Sequence, residues 1–254
     1  MKGVILAAGT ASRLRPLTDN TPKCLLPIGG EAILGRTLDN LSAAGIDEIV
    51  VVTGYLAPLV RRYAAEKFPR LHLTFIHNDI YAATNNIYSL WLARKEVFRD
   101  GMLLLDSDII FDRKILEALF DSGHADCLAV KTNILLSGEE IKVAVDGRGR
   151  ILEIGKEVPS SQAIGESIGI EKFGPSGLEL LFAVIDRKIV IEKNVNEFYE
   201  AAFQEVIDSG GDIYAVDVGK YKAIEIDTVE DIRTAEVDIL PYLPPISPAR
   251  AGKS

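Results

Sequence analysis

Arg13 and Lys23 are set ten residues apart in LAAGTASRLRPLTDNTPKCLLPI, residues 6–28. The segment turns at Ala8-Gly9, and Pro16, Pro22 and Pro27 forbid a continuous helix through it. A loop of this kind can point backbone amides at phosphate oxygens while two fixed positive charges flank them. Two common phosphate loops are excluded. No second glycine followed by lysine stands at P-loop spacing after Gly9, and a Gly-x-Gly-x-x-Gly run would have to pass straight into a helix that the prolines prevent. The second chemistry-bearing group is acidic. MLLLDSDIIF is an apolar run that ends in Asp106-Ser107-Asp108, and YKAIEIDTVEDIR places Asp227 at another strand end. Magnesium takes one or two carboxylates together with substrate phosphates, so Asp108 and Asp227 are candidate ligands, with Asp106 as an alternative. Each residue also has a plainer use. Arg13 and Arg15 read equally as solvated loop charges, Lys23 as a surface lysine, and Asp227 as part of a helix start in which Thr228 and Asp231 form a capping box.

The elements that must position these groups follow from periodicity. KGVILAA, DEIVVVTG, LHLTFI and GMLLLDSD read as strands, and EAILGRTLDNLSAAG, APLVRRYAAEKF and NNIYSLWLARKEVF as amphipathic helices between them. That alternation predicts an α/β fold with a mostly parallel, Rossmann-like central sheet flanked by helices. Ligands on such a sheet lie at the carboxyl ends of strands, the position held by Gly9, Gly54, Asn78 and Asp106 to Asp108. After residue 124 the pattern changes to a smaller mixed β and helical region. IKVAVDGRGRILEIGKEV predicts a hairpin turning at Asp146-Gly147. A strand in AIGESIGIEKF, helices over 175–188 and 196–209, strands IYAVDV and YKAIEI and a helix in TVEDIRTAEVDIL complete the expectation. One domain over 1–240 is expected, with halves 1–123 and 124–240, followed by a flexible, proline-rich tail over 241–254.

The totals limit the function classes. The 254 residues are 48% hydrophobic and 26% charged, an ordinary globular balance. With 37 acidic against 28 basic residues and a net charge of -9, the chain lacks the basic face that sequence-independent nucleic-acid binding needs. MKGVILAAG is too short for a membrane span or a signal peptide, which predicts a cytoplasmic protein with no membrane insertion. Cys24 and Cys127 have no metal-ligand or disulfide spacing.

The loop resembles the signature L-A-A-G-x-G-[ST]-R-[LM]-x-P-L-T, then P-K, of the nucleotidyltransferases that make nucleotide-activated sugars and phospho-alcohols. Here it reads LAAGTASRLRPLT and TPKCLLPI, and the likeness extends over most of the first 235 residues. The resemblance implies a sheet like that of the GT-A enzymes. It also implies that Leu6, Ala7, Ala8, Gly9 and Thr10 contact a nucleoside triphosphate whose phosphates Arg13 and Lys23 grip, and that Asp108 and Asp227 hold Mg²⁺. An oxygen of a phosphorylated substrate then attacks the α-phosphorus and pyrophosphate leaves. A phosphate is already an anion near neutral pH, so the presence of only His72, His77 and His124 poses no difficulty. Nucleotide-sugar glycosyltransferases also carry an Asp-x-Asp turn, but not the Arg13 and Lys23 loop. One departure stands at the second loop glycine, which is Ala11; a left-handed backbone there costs alanine about 1 kcal/mol.

Specificity is carried by NDIYAATNNIYSLWLARKEV. Sugar-nucleotide enzymes of the family have a P-x-G-T-A-x-A-like stretch, whereas TNNIYSL resembles the bacterial CTP:phosphocholine cytidylyltransferases and their relatives. Asn85 or Asn86 is then expected at a pyrimidine while the other caps the helix. Asn78, Tyr81, Thr84 and Gly54 complete the nucleotide side, with Asp106; Asn86, Ser89, Lys156 and Glu166 form the acceptor side, with Lys142 a further candidate there. Tyr88 and Trp91, a tempting cage for a quaternary ammonium, read more simply as core. The expectation is a Mg²⁺-dependent cytidylyltransferase joining CMP from CTP to a small phosphorylated alcohol, phosphocholine first. Sugar 1-phosphate, inositol phosphate and phosphonate acceptors are alternatives, a non-catalytic nucleotide-binding regulatory protein is the alternative of another class, and a homodimer is left open.

Overall fold

The computed structural model describes residues 1–246. In chain order its elements are β1 (Lys2–Ala7), β2 (Pro27–Ile28), β3 (Glu31–Ala32), α1 (Ile33–Ala43), β4 (Glu48–Thr53), α2 (Ala57–Lys67), β5 (His72–His77), α3 (Asn86–Val97), β6 (Met102–Asp106), β7 (Ile109–Phe111) and α4 (Lys114–Asp121). The second half adds β8 (Cys127–Lys131), β9 (Lys142–Val145), β10 (Ile151–Gly155), β11 (Gly165–Phe173), α5 (Pro175–Asp186), α6 (Glu200–Asp208), β12 (Tyr214–Asp217), β13 (Ala223–Glu225) and α7 (Val229–Thr234).

Strands β6, β1, β4 and β5 lie side by side and parallel, as the β-branched runs and intervening helices predict. The main sheet runs β10-β9-β11-β6-β1-β4-β5, with β8 on β11 and β12 on β8, so antiparallel β11 carries the second half onto the parallel core. Alternation along β1 divides the core. Val4 and Leu6 face α3, α5 and α6, whereas Ile5 and Ala7 face α1, α2 and α4. Every β1 residue from Val4 on is buried, which is why it reads as a continuous apolar run. A third cluster, Leu14, Leu26, Ile28, Ile33, Ile110, Ile226, Ala235 and Ile239, lies under the residue 8–28 loop and fastens it to the C-terminal segment.

Three boundaries differ from expectation. The β9–β10 hairpin turns through five residues, Asp146–Arg150, whose left-handed residue is Gly149 (φ 81°) rather than Gly147; the Asp146 carboxylate accepts from the backbone N–H of Arg148 and Arg150. Helix α6 begins at Glu200 rather than 196, because residues 194–199 cross to the start of α3. The chain is also held beyond residue 240: Leu240–Tyr242 form a 3-10 turn, and Leu240 and Leu243 pack on the third cluster. The rest of the expected tail, 247–254, lies outside the described residues. No helix among the described residues is long and apolar enough to cross a membrane.

Candidate active site

The loop after β1 is built before it is charged. Ala8 O accepts from the Tyr55 N–H at 3.1 Å, and the Tyr55 hydroxyl donates to Thr18 O and Asp19 O at 3.0 and 2.7 Å. Gly54 makes this approach possible, since a Cβ there would stand 2.7 Å from both Ala8 O and the Tyr81 Cβ. Ala11 adopts φ 47°, ψ 49°, the left-handed conformation that favours glycine, and its carbonyl accepts from Thr18 Oγ1 at 2.9 Å. Ala11→Gly relieves about 1–2 kcal/mol of backbone strain and adds roughly 0.5–1 kcal/mol of chain entropy to the unfolded state. A net stabilisation of roughly 0.5–1 kcal/mol is expected in the urea midpoint; a fall in that midpoint would refute the account.

Lys23 opens a single 3-10 turn behind Pro22 and projects into an acidic centre. Its Nζ donates to Asp108 Oδ2 at 2.6 Å and to Asp227 Oδ1 at 2.7 Å, and Arg13 reaches Asp227 Oδ2 at 3.0 Å. The two aspartates meet because β7 and β13 pair antiparallel and the Ile226 N–H donates to Asp108 O at 3.0 Å, placing the two acidic strand ends side by side. Only 12% of the Lys23 side chain is exposed, against 72% for Arg13. Burial alone would lower the Lys23 ammonium, but Asp108 and Asp227 outweigh it and raise its pKa above the usual lysine value. Cys24 beside it is pushed up to about 12 by burial and by Asp108, and is inert.

Glu225 is a third carboxylate here. One oxygen each of Asp108, Glu225 and Asp227 lies within 4.8 Å of the others. Burial, then Asp108 and Asp227, push Glu225 up to about 7, against the opposing pull of Lys23 and Arg13. The signal was present in AIEID, where positions 225 and 227 share one side of a strand. The donor set is all oxygen, and Asp108 Oδ1 is buried without a hydrogen-bond partner, so the cluster fits a hard divalent cation such as Mg²⁺. The capping expectation holds alongside it: Thr228 Oγ1 accepts from the Asp231 N–H at 3.2 Å, and the Asp231 carboxylate accepts from the Thr228 N–H at 2.7 Å.

A cavity of about 340 Å³ opens over this centre at the carboxyl ends of the parallel strands. Leu6, Ala7, Ala8, Gly9, Arg13, Lys23, Asn78, Tyr81, Thr84, Asn85, Asn86, Ser89, Asp106, Asp108 and Asp227 all line it. Thr10, Gly54, Lys156 and Glu166 are not among its lining residues. Gly54 supports the loop from behind. Lys156 pairs with Glu139 at 3.1 Å above the Phe198 ring, 5.7 Å from its centroid, and Phe198 rather than Lys156 reaches the cavity. Glu166 sits on β11 opposite Lys131 and Lys142, where burial raises its pKa and Lys131 opposes the rise.

Several lining side chains are already engaged. The Asn78 amide donates to Thr84 Oγ1 and Ser89 Oγ at 3.0 and 3.2 Å, while its oxygen accepts from the Ile80 N–H at 3.1 Å; it holds the turn after β5 rather than presenting itself. Asn85 caps α3 by accepting from the Asn86 N–H at 2.8 Å. The Asn86 Oδ1 accepts from the Tyr199 N–H at 2.9 Å. Tyr88 and Trp91 pack on the core as expected. Trp91 donates to Asp186 Oδ1 at 2.7 Å and stacks under Arg94, so no cage forms.

Tyr199 is buried below the cavity floor, and its hydroxyl donates to Asp106 Oδ2 at 3.0 Å, with Glu171 Oε1 at 3.5 Å. Burial first, then Asp108 beside Asp106 and Asp106 beside Glu171, hold both acids well above the carboxylate range. Glu200 is pushed up to about 7 by burial. Between its ordinary 4.5 and 7 the folded state keeps a proton that the unfolded state has lost, so this group's contribution to stability falls as pH rises through that window. Glu200→Gln is expected to flatten the stability–pH curve there by up to about 1.4 kcal/mol per pH unit. Denaturant melts at pH 5, 6, 7 and 8 test this, and an unchanged slope would remove Glu200 as the cause.

Comparisons with known proteins identify the family and the fold. Residues 3–139 match the MobA-like NTP transferase domain. The choline-phosphate cytidylyltransferase of Streptococcus pneumoniae is 28% identical over 246 residues, covering 93% of this chain and 97% of its own length. The CMP-5'-(3-aminopropyl)phosphonate synthase of Streptomyces rubellomurinus is 28% identical over 255 residues and 95% of this chain, which spans 39% of that longer protein. A solved structure of the CTP:phosphocholine cytidylyltransferase from Streptococcus pneumoniae superposes with a TM-score of 0.76 at 26% identity, over 92% of this chain and 97% of that one. The resemblance carried by the Arg13 and Lys23 loop is therefore met by sequence and by fold together, and the chain belongs to the MobA-like NTP transferase family of nucleotidyltransferases.

Proposed function

We propose that the protein transfers CMP from CTP to a small phosphorylated alcohol, phosphocholine foremost, and releases pyrophosphate with the help of Mg²⁺. The observation that carries the proposal is the set of Lys23 and Arg13 on Asp108 and Asp227 inside a cavity at the strand ends. The cytidine assignment rests on TNNIYSL and on relatives named for cytidylyl transfer.

An oxygen of the acceptor phosphate forms a bond to the α-phosphorus, the bond from that phosphorus to the bridging oxygen breaks, and the electron pair leaves with pyrophosphate. No base is required. Arg13, exposed along most of its length, swings from Asp227 onto the outgoing phosphates, while Lys23 stays near the reacting group and offsets its growing charge. Asp108, Asp227 and Glu225 would hold a Mg²⁺, which would supply further neutralisation of the triphosphate. Asn85, with its oxygen spent on the α3 cap, offers its amide hydrogens to a pyrimidine. On the acceptor side, Phe198 lines the cavity and offers an aromatic face to a positively charged head group. Lys156, over the Phe198 ring at the edge of the cavity, serves the acceptor phosphate after it leaves Glu139, and Glu166, paired across β11 with Lys131 and Lys142, stands behind it outside the cavity lining.

The test is pyrophosphate release with Mg²⁺, crossing five nucleoside triphosphates with phosphocholine, phosphoethanolamine, aminoethylphosphonate, inositol phosphate and sugar 1-phosphates. Release confined to CTP with an amine-bearing acceptor supports the proposal. Release with another base and a sugar 1-phosphate keeps the mechanism and overturns the specificity; silence throughout overturns both and favours a nucleotide-binding regulatory role.

A further inference from the structure

Tyr199 stands at the start of α6, where backbone N–H groups have no partner inside the helix. It is fully buried, so water cannot supply one. The partner comes from 113 residues away: Asn86 Oδ1, at 2.9 Å, on the first turn of α3. Beside it the Asn85 N–H donates to Val195 O at 3.0 Å, so the paired asparagines grip the crossing segment at both ends. Lys188 and Asn194 on Glu197 are local to residues 188–197, and the segment's other distant ties are through side chains, the Tyr199 hydroxyl on Asp106 and Glu171 and Lys156 over the Phe198 ring, so the asparagines are its distant hold on the backbone. Two side chains depend on the grip: Phe198, which lines the cavity, and Tyr199, whose hydroxyl holds Asp106.

We infer that Asn86 is a positioning residue, which through its side-chain oxygen fastens the segment bearing Phe198 and Tyr199 and so shapes the acceptor side of the cavity. The inference rests on the proposed transfer reaction for its kinetic consequence, though not for the fastening itself. It differs from direct recognition in one chemical respect. A residue that reads a ligand through its amide hydrogens needs the nitrogen, whereas a fastening needs only the oxygen. Aspartate keeps the oxygen, and a negative charge is favoured on the first turn of a helix.

Asn86→Ala is expected to raise the acceptor KM at least 10-fold with the CTP KM changed less than 2-fold, and to speed hydrogen exchange of the residue 195–199 amides at least 10-fold. Asn86→Asp is expected to restore both to within about 3-fold of the parent. If Asn86→Ala does not fold, Phe198→Ala, which leaves both asparagine contacts intact, is expected to raise the acceptor KM to a similar degree. Asn86→Asp behaving like Asn86→Ala, a rise confined to the CTP KM, or Phe198→Ala leaving the acceptor KM unchanged would each overturn the inference. Hydrogen exchange needs no substrate, so a parent protein inactive with every acceptor would defeat the proposed reaction while the fastening was still tested.

Discussion

Lys23→Ala is expected to lower kcat/KM by about 10²–10³, the loss typical of one electrostatic stabiliser removed from a developing charge, roughly 2.7–4 kcal/mol. The same substitution has a second signature in the free protein. Lys23 Nζ is the cation that separates Asp108 from Asp227, with Glu225 in the same cluster. Without it the carboxylates face one another with only the exposed Arg13 nearby, and the fold loses stability through their repulsion. A divalent cation relieves that repulsion without having to displace an ammonium. Mg²⁺ should therefore raise the melting temperature of Lys23→Ala more than that of the parent. Arginine is not expected to rescue activity, because its larger planar guanidinium does not reproduce a compact ammonium set within 2.6 and 2.7 Å of the two aspartates. Activity within 3-fold of the parent, together with equal Mg²⁺ shifts, would sink the assignment.

Asp227→Asn is expected to cost about 10²–10³ in kcat while leaving the fold intact, because shape is kept and only the charge that faces Lys23 and Arg13 is lost. The turn that carries Asp227 allows an internal control. Asp231, four residues on, closes the capping box of α7 and does not line the cavity. Its carboxylate also accepts from the Asp227 N–H at 3.0 Å, so Asp231→Ala should lower stability by about 1 kcal/mol and lower kcat far less than Asp227→Asn does. Reversed effects, with Asp227→Asn destabilising but active and Asp231→Ala stable but inactive, would show that the two roles had been exchanged.

What could be read before folding was mostly local. The strand runs, the proline-broken loop and the acids that end strands are written in consecutive residues, and the structure gathers Arg13, Lys23, Asp108 and Asp227 at one place. The left-handed geometry at Ala11 was legible because a glycine stands there in the resembling signature. Contacts between distant segments outside the resembling signature were not legible. Asn78 has the right type and place for a ligand contact, but its amide is spent on the turn it begins. Lys156 and Glu166 were chosen from strand-end patterns that say nothing of which way a side chain faces in a mixed sheet, and neither lines the cavity. Phe198 and Tyr199 carry no motif, since their position is decided by a hydrogen bond to Asn86. Asp146-Gly147 looks like a two-residue turn, yet the Asp146 carboxylate gathers the amides of a longer one.

The pairing of β7 with β13 has a consequence for the order of events in synthesis. Lys23 and Asp227 are 204 residues apart, and closing a flexible loop of that length carries a length-dependent entropy cost of roughly 5 kcal/mol. Most of the chain must therefore be made, and its sheet assembled, before the acidic centre exists. The first half cannot complete its own packing earlier, since Val4 and Leu6 face α5 and α6 of the second. On the proposed reaction, a growing chain would be chemically silent until Asp227 is translated and the three-residue strand β13 docks on β7.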